Sequence, residues 1–443
     1  MAESRSKFQV ILLVVFSVFA VLAVLIFSGA INIGGGTTSS GPTGEAVFWG
    51  TIPPQNFGGF FDNFNSTKGQ TVTVKYVYKD PSMFDHDLIE ALASGVGPDM
   101  ILLPNDFIMR YADKLYAMPE ASYSLSNFQN TFISEANLYV GSKGILGLPV
   151  SVDPLVMYYN QSLLGSAGIS LPPATWEGLI STLPELNKVN ADFSISQSGI
   201  ALGTFQNVNY YKDILSLLML QLGSPMVSTG TDGKLYAQFD QALPSSSLMP
   251  GVEALKFYTS FSDPANAARY SWNSTMPNAR DMFLSGKLAY YVGYASELFY
   301  IQAKNPNLDF NVTMIPQVPS SSTKVTFGKM NSVAVLKSSK NIPAAFQVTG
   351  LLSSAAWAKQ LAVAFSLPPA RRDLLAEPQS SPYIQAFYRS ALVSRGWYNP
   401  SETETLPLFK EMISDVQSGK YDYLSAVANL NKKVQLLLDK YSL

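Results

Sequence analysis

Between residues 46 and 103 apolar strands alternate with helical stripes, and few folds accept that pattern. Residues 46–49 form a short apolar strand. Phe57, Phe60, Phe61 and Phe64 then recur at i, i+3, i+4 and i+7, one face of a helix, and packing on a sheet accounts for the stripe without a binding groove. Val72, Val74 and Tyr76 alternate in a β-rich run, Phe84, Leu88 and Leu92 return to helical spacing, and Gly95 stops the turn. Residues 100–103 supply a third strand, apolar at every position. Such a sequence of elements predicts an α/β fold with a doubly wound, largely parallel sheet, whose ligands bind beyond the carboxyl ends of the strands. The first candidates are therefore Trp49 and Gly50, then Asp80, then Asn105 and Asp106.

The alternation restarts after the apolar segment 148–160. Gly168 ends one helix and Thr175 caps the next, with Glu177 in its first turn. Helices are expected at 213–222, 252–261 and 278–284, with strands at 288–292 and 332–336, an Ala-rich helix near 344–353 and a mostly helical tail. A chain of 443 residues is long for one core, so the restart is read as a second lobe.

The amino end differs in kind. Residues 8–33 carry no charge, and Arg5 and Lys7 precede them, which predicts a single transmembrane helix with the body outside the cytoplasm. A cleaved signal peptide, with Ser28 and Ala30 near the cut, is the competing reading. Residues 34–44, rich in Gly, Ser and Thr, read as a flexible tether. With no cysteine, disulfides, thiolate metal sites and lipid-bearing Cys are excluded, so attachment has to come from the polypeptide. One histidine, His86, leaves no material for a multi-His metal site, and no cofactor is expected. Asp85, His86 and Asp87 are neighbours that point apart on a helix and read as a polar face. A net charge of −2 provides no footprint for nucleic acid.

Three stretches carry a resemblance: LIEALASGVGPDMILL at 88–103, GILGLPVSVDPLVMYYNQSLLGSAGISLPPATWEGL at 144–179, and MFLSGKLAYYVGYASELF at 282–299, with PPARRD at 368–373 a weaker echo. Together and in this order they resemble the extracellular solute-binding proteins that include the maltose-binding and other sugar-binding receptors of ABC transporters. The resemblance implies a two-lobe, type II periplasmic-binding-protein fold with a hinge, acting as a monomer that hands a small solute, expected to be a carbohydrate, to permease subunits, without catalysis. It implies a first lobe of 45–151 with 289–320 and a second of 152–288 with 321–443.

Asp153 is the leading site candidate, because a carboxylate inside an otherwise apolar crossing strand is costly unless paired or wetted, and the matching family position is acidic. Trp49 could stack on a sugar face, and Trp272 with Asn273 could form a platform on the second lobe. Tyr294 and Glu297 follow the returning strand, Asn207 and Asn209 could present amides, and Arg371 with Arg372 could clamp an anionic group. Against these stand ordinary roles: capping for Asn105 and Asp106, core packing for the tryptophans, and dipole compensation for Glu297. Ser296 stands where many sugar-binding members carry an aromatic. The competing functions are an extracellular glycoside hydrolase, which needs two carboxylates across a cleft, and a surface binding or sensor protein without transport.

Overall fold

The computed structural model describes residues 43–441 other than 193, 245 and 320–322. The expected membrane segment and nearly all of the tether lie outside the described residues. Among the described residues no helix is long and apolar enough to cross a membrane.

The described strands are β1 (Gly44–Gly50), β2 (Val72–Tyr78), β3 (Met100–Pro104), β4 (Val140–Gly141), β5 (Gly144–Ile145), β6 (Leu148–Asn160), β7 (Lys188–Val189), β8 (Ile195–Ile200), β9 (Val227–Thr229), β10 (Leu235–Ala237), β11 (Leu288–Tyr294), β12 (Phe310–Thr313), β13 (Thr326–Val335) and β14 (Ser394–Arg395). The main sheet runs β2-β1-β3-β13-β6-β11-β8-β7, with β12 on β6 and β14 on β13. Its β1–β2, β1–β3 and β8–β11 pairs are parallel, as expected. The long strands β6 and β13 run antiparallel to their sheet neighbours β11 and β3 and to each other, so the sheet is mixed.

Alternate side chains of β3 enter different cores, as the two-residue period of a strand requires. Ile101 and Leu103 join a cluster with Val152 and Met330, while Met100 and Leu102 join one with Phe48, Phe64, Val333 and Val348. These two clusters cover the faces of the first lobe. A third, larger cluster takes Leu155–Tyr158, the strands β8 and β11, and the carboxyl-terminal helices Glu402–Gln417 and Tyr423–Tyr441. The phenylalanine stripe is core as expected, with Phe60 and Phe64 against Trp357. Phe57 stands outside the helix Phe60–Ser66, because Gly58 and Gly59 take left-handed φ of 51° and 83° and break the chain direction.

β6 passes between the lobes. It pairs with β13 from Leu148 to Pro154 and with β11 from Leu155 to Tyr159. β13 crosses beside it, since Phe327 belongs to the second-lobe core and Met330 to the first. The placement of 289–320 in the first lobe is corrected: β11 is buried along its whole length between β6 and β8, and Phe310, Val312 and Ile315 share the second-lobe core. Residues 330–375 join the first lobe instead, through β13 and the helices Ile342–Leu352 and Ala355–Phe365.

Gly328 lies opposite Pro154 at this crossing. A Cβ there would collide with Ser394 Oγ and come within 2.7 Å of Glu135 Oε2 and 3.1 Å of Val152 Cγ2. Gly328→Ala is expected to destabilise the chain by about 1–3 kcal/mol, the usual cost of overpacking, seen as a lowered melting temperature. An unchanged melting temperature would mean that the crossing is looser than described.

Candidate functional site

The two crossing strands form the floor on which both lobes meet. Asp153 on β6 and Lys329 on β13 are direct cross-strand partners, so their side chains emerge on the same side of the sheet. The carboxyl ends of β1 and β2 lie level, Gly50 beside Tyr78, and β3 runs into the turn Asn105–Phe107 that carries Asp106. From the second lobe come Tyr294 at the end of β11, Ser296 and Glu297 just beyond it, and the starts of helices Tyr211–Gln221 and Glu402–Gln417.

Charge concentrates at this junction. Lys329 Nζ lies 3.6 Å from Asp213 Oδ2, 3.9 Å from Asp106 Oδ2 and 4.0 Å from Glu402 Oε1, with the Tyr294 ring centre 5.4 Å away. Lys212, fully buried, lies 2.7 Å from Glu402 Oε2 and 3.4 Å from Asp213 Oδ1. Tyr294 donates its hydroxyl to Asp213 Oδ2 at 2.7 Å. Burial resists ionisation throughout, yet Lys212 and Lys329 outweigh it at Asp213 and hold that carboxyl below its ordinary range. At Glu402 burial prevails and the carboxyl is shifted up. Both lysines are held above their usual value, because neighbouring carboxylates overcome the loss of solvent.

A second knot closes the wall. Glu297 accepts from Tyr210 at 2.6 Å and Arg280 at 3.0 Å on one oxygen, and from Tyr291 at 2.5 Å on the other. Tyr210 holds a left-handed φ of 60° at the start of its helix, a conformation costly for a residue with a side chain. Asp153 is half-buried and accepts the Ser296 N–H at 3.0 Å. Burial pushes its carboxyl up to about 6, against the Ser296 hydrogen bonds and the Lys329 charge, and Glu297 adds to the rise.

Several expected site residues have other duties. Trp272 is completely buried and donates to Asn207 Oδ1 at 2.9 Å, so it offers no platform. The Asn207 amide is spent on the carbonyls of Asn273 and Met276, and Asn209 accepts the Arg280 N–H. Asn105 is buried and accepts the Met330 N–H at 2.9 Å, tying β3 to β13. Asp80 and Asn273 close local turns on Ser82 and Thr275. Arg371 is taken by Asp373 and the Ser353 carbonyl, and Arg372 by the Phe132 carbonyl and Ser134. Gly50 has no room for a Cβ because the Tyr76 hydroxyl lies 2.6 Å from that point. Trp49 is half-buried, with Lys79 Nζ 3.9 Å from its ring centre. What the structure brings together from the expected set is Asp106, Asp153, Tyr294 and Glu297.

Lys329, Lys212, Asp213, Glu402 and Tyr210 were missed by reading the sequence. The signal for Lys329 is the one used for Asp153, a charge within a largely buried strand. For Lys212 it is a cation in the first turn of a buried helix, where the helix dipole disfavours it.

Glu135 was also missed. It is buried against β13 and β14, accepts the Ser394 hydroxyl, and leaves Oε1 without a hydrogen bond among the described residues. Burial pushes its carboxyl up to about 7 despite Ser394 and Arg395, with Asp106 adding to the rise. A carboxyl with a higher pKa folded than unfolded subtracts stability as pH climbs from about 4.5 to about 7, and subtracts the full amount above that. Glu135→Gln should therefore raise unfolding stability at pH 8 by on the order of 3 kcal/mol and leave it nearly unchanged at pH 4, measured by denaturant melts. An equal gain at both pH values would contradict the account.

The fold is a mixed α/β architecture with two lobes sharing the strands β6 and β13. Residues 59–387 match the family of bacterial extracellular solute-binding proteins, and the chain belongs to that family, which places its body outside the cytoplasm. A binding protein of Brucella abortus (strain 2308) is 24% identical over 269 residues, covering 60% of this chain and 61% of the relative. The chain thus spans about 61% of the length of the Brucella relatives. The maltotriose-binding protein of Pyrococcus abyssi (strain GE5 / Orsay) is 20% identical over 352 residues, 78% of this chain and 71% of that one. The fold matches the sugar-binding protein MalE from Xanthomonas citri with a TM-score of 0.73 at 18% identity, covering 89% of this chain and 98% of that one. It also matches a cyclo/maltodextrin-binding protein complexed with maltotetraose, with a TM-score of 0.71 at 17% identity, covering 90% and 98%.

Proposed function

We propose that the chain is the substrate-binding component of an ABC importer, capturing a carbohydrate by closure of its two lobes and delivering it to permease subunits. The observation that carries this reading is the floor itself. Asp153 and Lys329 stand side by side on the crossing strands, one an acceptor with an oxygen to spare and the other a donor without a hydrogen bond among the described residues. A vicinal pair of sugar hydroxyls, each both donor and acceptor, suits such a pair. Asp106, Tyr210, Tyr294 and Glu297 complete the proposed site. Exposed rings of Tyr78 and Phe299, next to the first- and second-lobe strand ends, are suited to stacking on sugar faces in place of the buried Trp272. The maltotriose and maltodextrin binders among the relatives and fold neighbours point to the same solute class. Residues 8–33 serve as the membrane anchor in this reading, with the receptor acting as a monomer.

The test is the melting temperature of the full chain against mono- and oligosaccharides, polyamines, phosphate esters and short peptides. A ligand at 100 times its dissociation constant adds about 2.7 kcal/mol. Stabilisation by one sugar class without turnover is expected. Turnover would favour a glycoside hydrolase, and stabilisation only by another class would overturn the carbohydrate reading.

Asp153 gives the reading a pH signature. Below about pH 6 its carboxyl takes up a proton and loses acceptor capacity, so sugar affinity should fall severalfold between pH 7 and pH 5. Asp153→Asn should bind at least tenfold more weakly at pH 7 and lose most of that pH dependence, measured by titration calorimetry. Unchanged affinity would remove Asp153 from the site.

A further inference from the structure

We propose that Lys329 is a resident ammonium that sets the charge selectivity of the cleft: it occupies the point where three carboxylates converge, so the receptor accepts uncharged polyhydroxyl solutes and turns away amines. The inference rests on the reading of the inter-lobe floor as the solute site and names what that site refuses.

The geometry singles out this lysine. Asp106 approaches from the first lobe, Asp213 and Glu402 from the second, and Lys329 rises between them from a strand that belongs to both. Its three distances, 3.6 to 4.0 Å, are those of charge attraction without a hydrogen bond, and its side chain keeps 34% of its surface exposed. The other cation cannot take this role. Lys212 is 1% exposed and fixed on Glu402 at 2.7 Å. Asp213 needs both cations: its buried Oδ1, without a hydrogen bond among the described residues, lies 3.4 Å from Lys212, and its Oδ2 lies 3.6 Å from Lys329, so removing Lys329 leaves that side of the carboxylate to the Tyr294 hydroxyl alone.

Three carboxylates and two lysines leave the cluster with one net negative charge, and Asp153 opposite adds another. Without Lys329 the same groups would form a strongly acidic, partly desolvated recess of the size of an alkylammonium. In water-poor surroundings such a recess attracts a cation far more than an exposed acidic patch does. The tethered ammonium fills it at no cost in translational freedom, so a free amine has to compete with an occupant that never leaves. Among the described residues the donors of Lys329 remain unspent, and they are available to ligand oxygens.

The test compares the full chain with its Lys329→Ala variant, melted in n-butylammonium chloride or in sodium chloride of equal ionic strength. The variant should melt lower in sodium chloride and recover in n-butylammonium, binding it at least tenfold more tightly than the unaltered protein does. Equal, weak effects on both proteins would overturn the proposal. Should the alanine variant fail to fold, Lys329→Gln with methylammonium gives the same comparison: tighter amine binding by the variant supports the proposal, and equal, weak binding overturns it. The amine readout needs no sugar. If no sugar binds yet the amine difference holds, the selectivity assignment stands while the carbohydrate reading falls; if sugars bind and the amine difference is absent, the assignment alone falls.

Discussion

Everything in this molecule depends on one strand that has two sets of partners. β6 bonds to β13 on one side of Pro154 and to β11 on the other, so a single run of backbone ties two separate hydrophobic cores together. The partner strand changes from β13 to β11 between Pro154 and Leu155. The changeover falls at Pro154, opposite Gly328 on β13, which crosses in the opposite sense. The proposed closure of the two lobes takes this changeover as its hinge, since a rotation there leaves both cores intact.

Polar groups gather at the crossing for the same reason. A side chain there belongs to neither core and is only partly buried, so Asp153 and Lys329 are tolerated in strands whose other positions are mostly buried. Once present, they draw in others. Asp213 is kept ionised by two lysines, Glu402 balances Lys212, and Asp106 reaches the same cluster from the opposite lobe. The wall formed by Glu297 contrasts with this loose arrangement. All its acceptor contacts are short and internal, which fixes Tyr210, Tyr291 and Arg280 in place. A rigid wall and an underfilled floor are what a site needs to orient a solute and still have donors and acceptors left for it.

How much of this could be read in the sequence depended on the range of the interactions involved. The strand–helix alternation before residue 104 was legible, since periodicity reports local geometry, and the phenylalanine stripe shows itself as core by its spacing alone. The lobe of β11 was taken from the resemblance, and the chain's own pattern offered no check on it, because a strand buried along its whole length has no polar face to show which sheet it joins. Trp272 and Asn207 misled for another reason. Their polar atoms satisfy one another across 65 residues, and no local signal reveals that such groups are already paired. Asp153 was legible because charge in an apolar strand is conspicuous, and Lys329 could have been found by the same rule. Glu135 could not, since its burial depends on Gly328, Gly396 and Ser394 meeting around it.

The central claim is that two lobes hinged at the β6–β13 crossing close around a solute, and small-angle X-ray scattering tests it directly. With a saturating oligosaccharide that stabilises the chain, the radius of gyration should fall while the scattering mass stays that of one chain. An unchanged radius at saturation would contradict the account, because the solute would then be held without the lobes moving together.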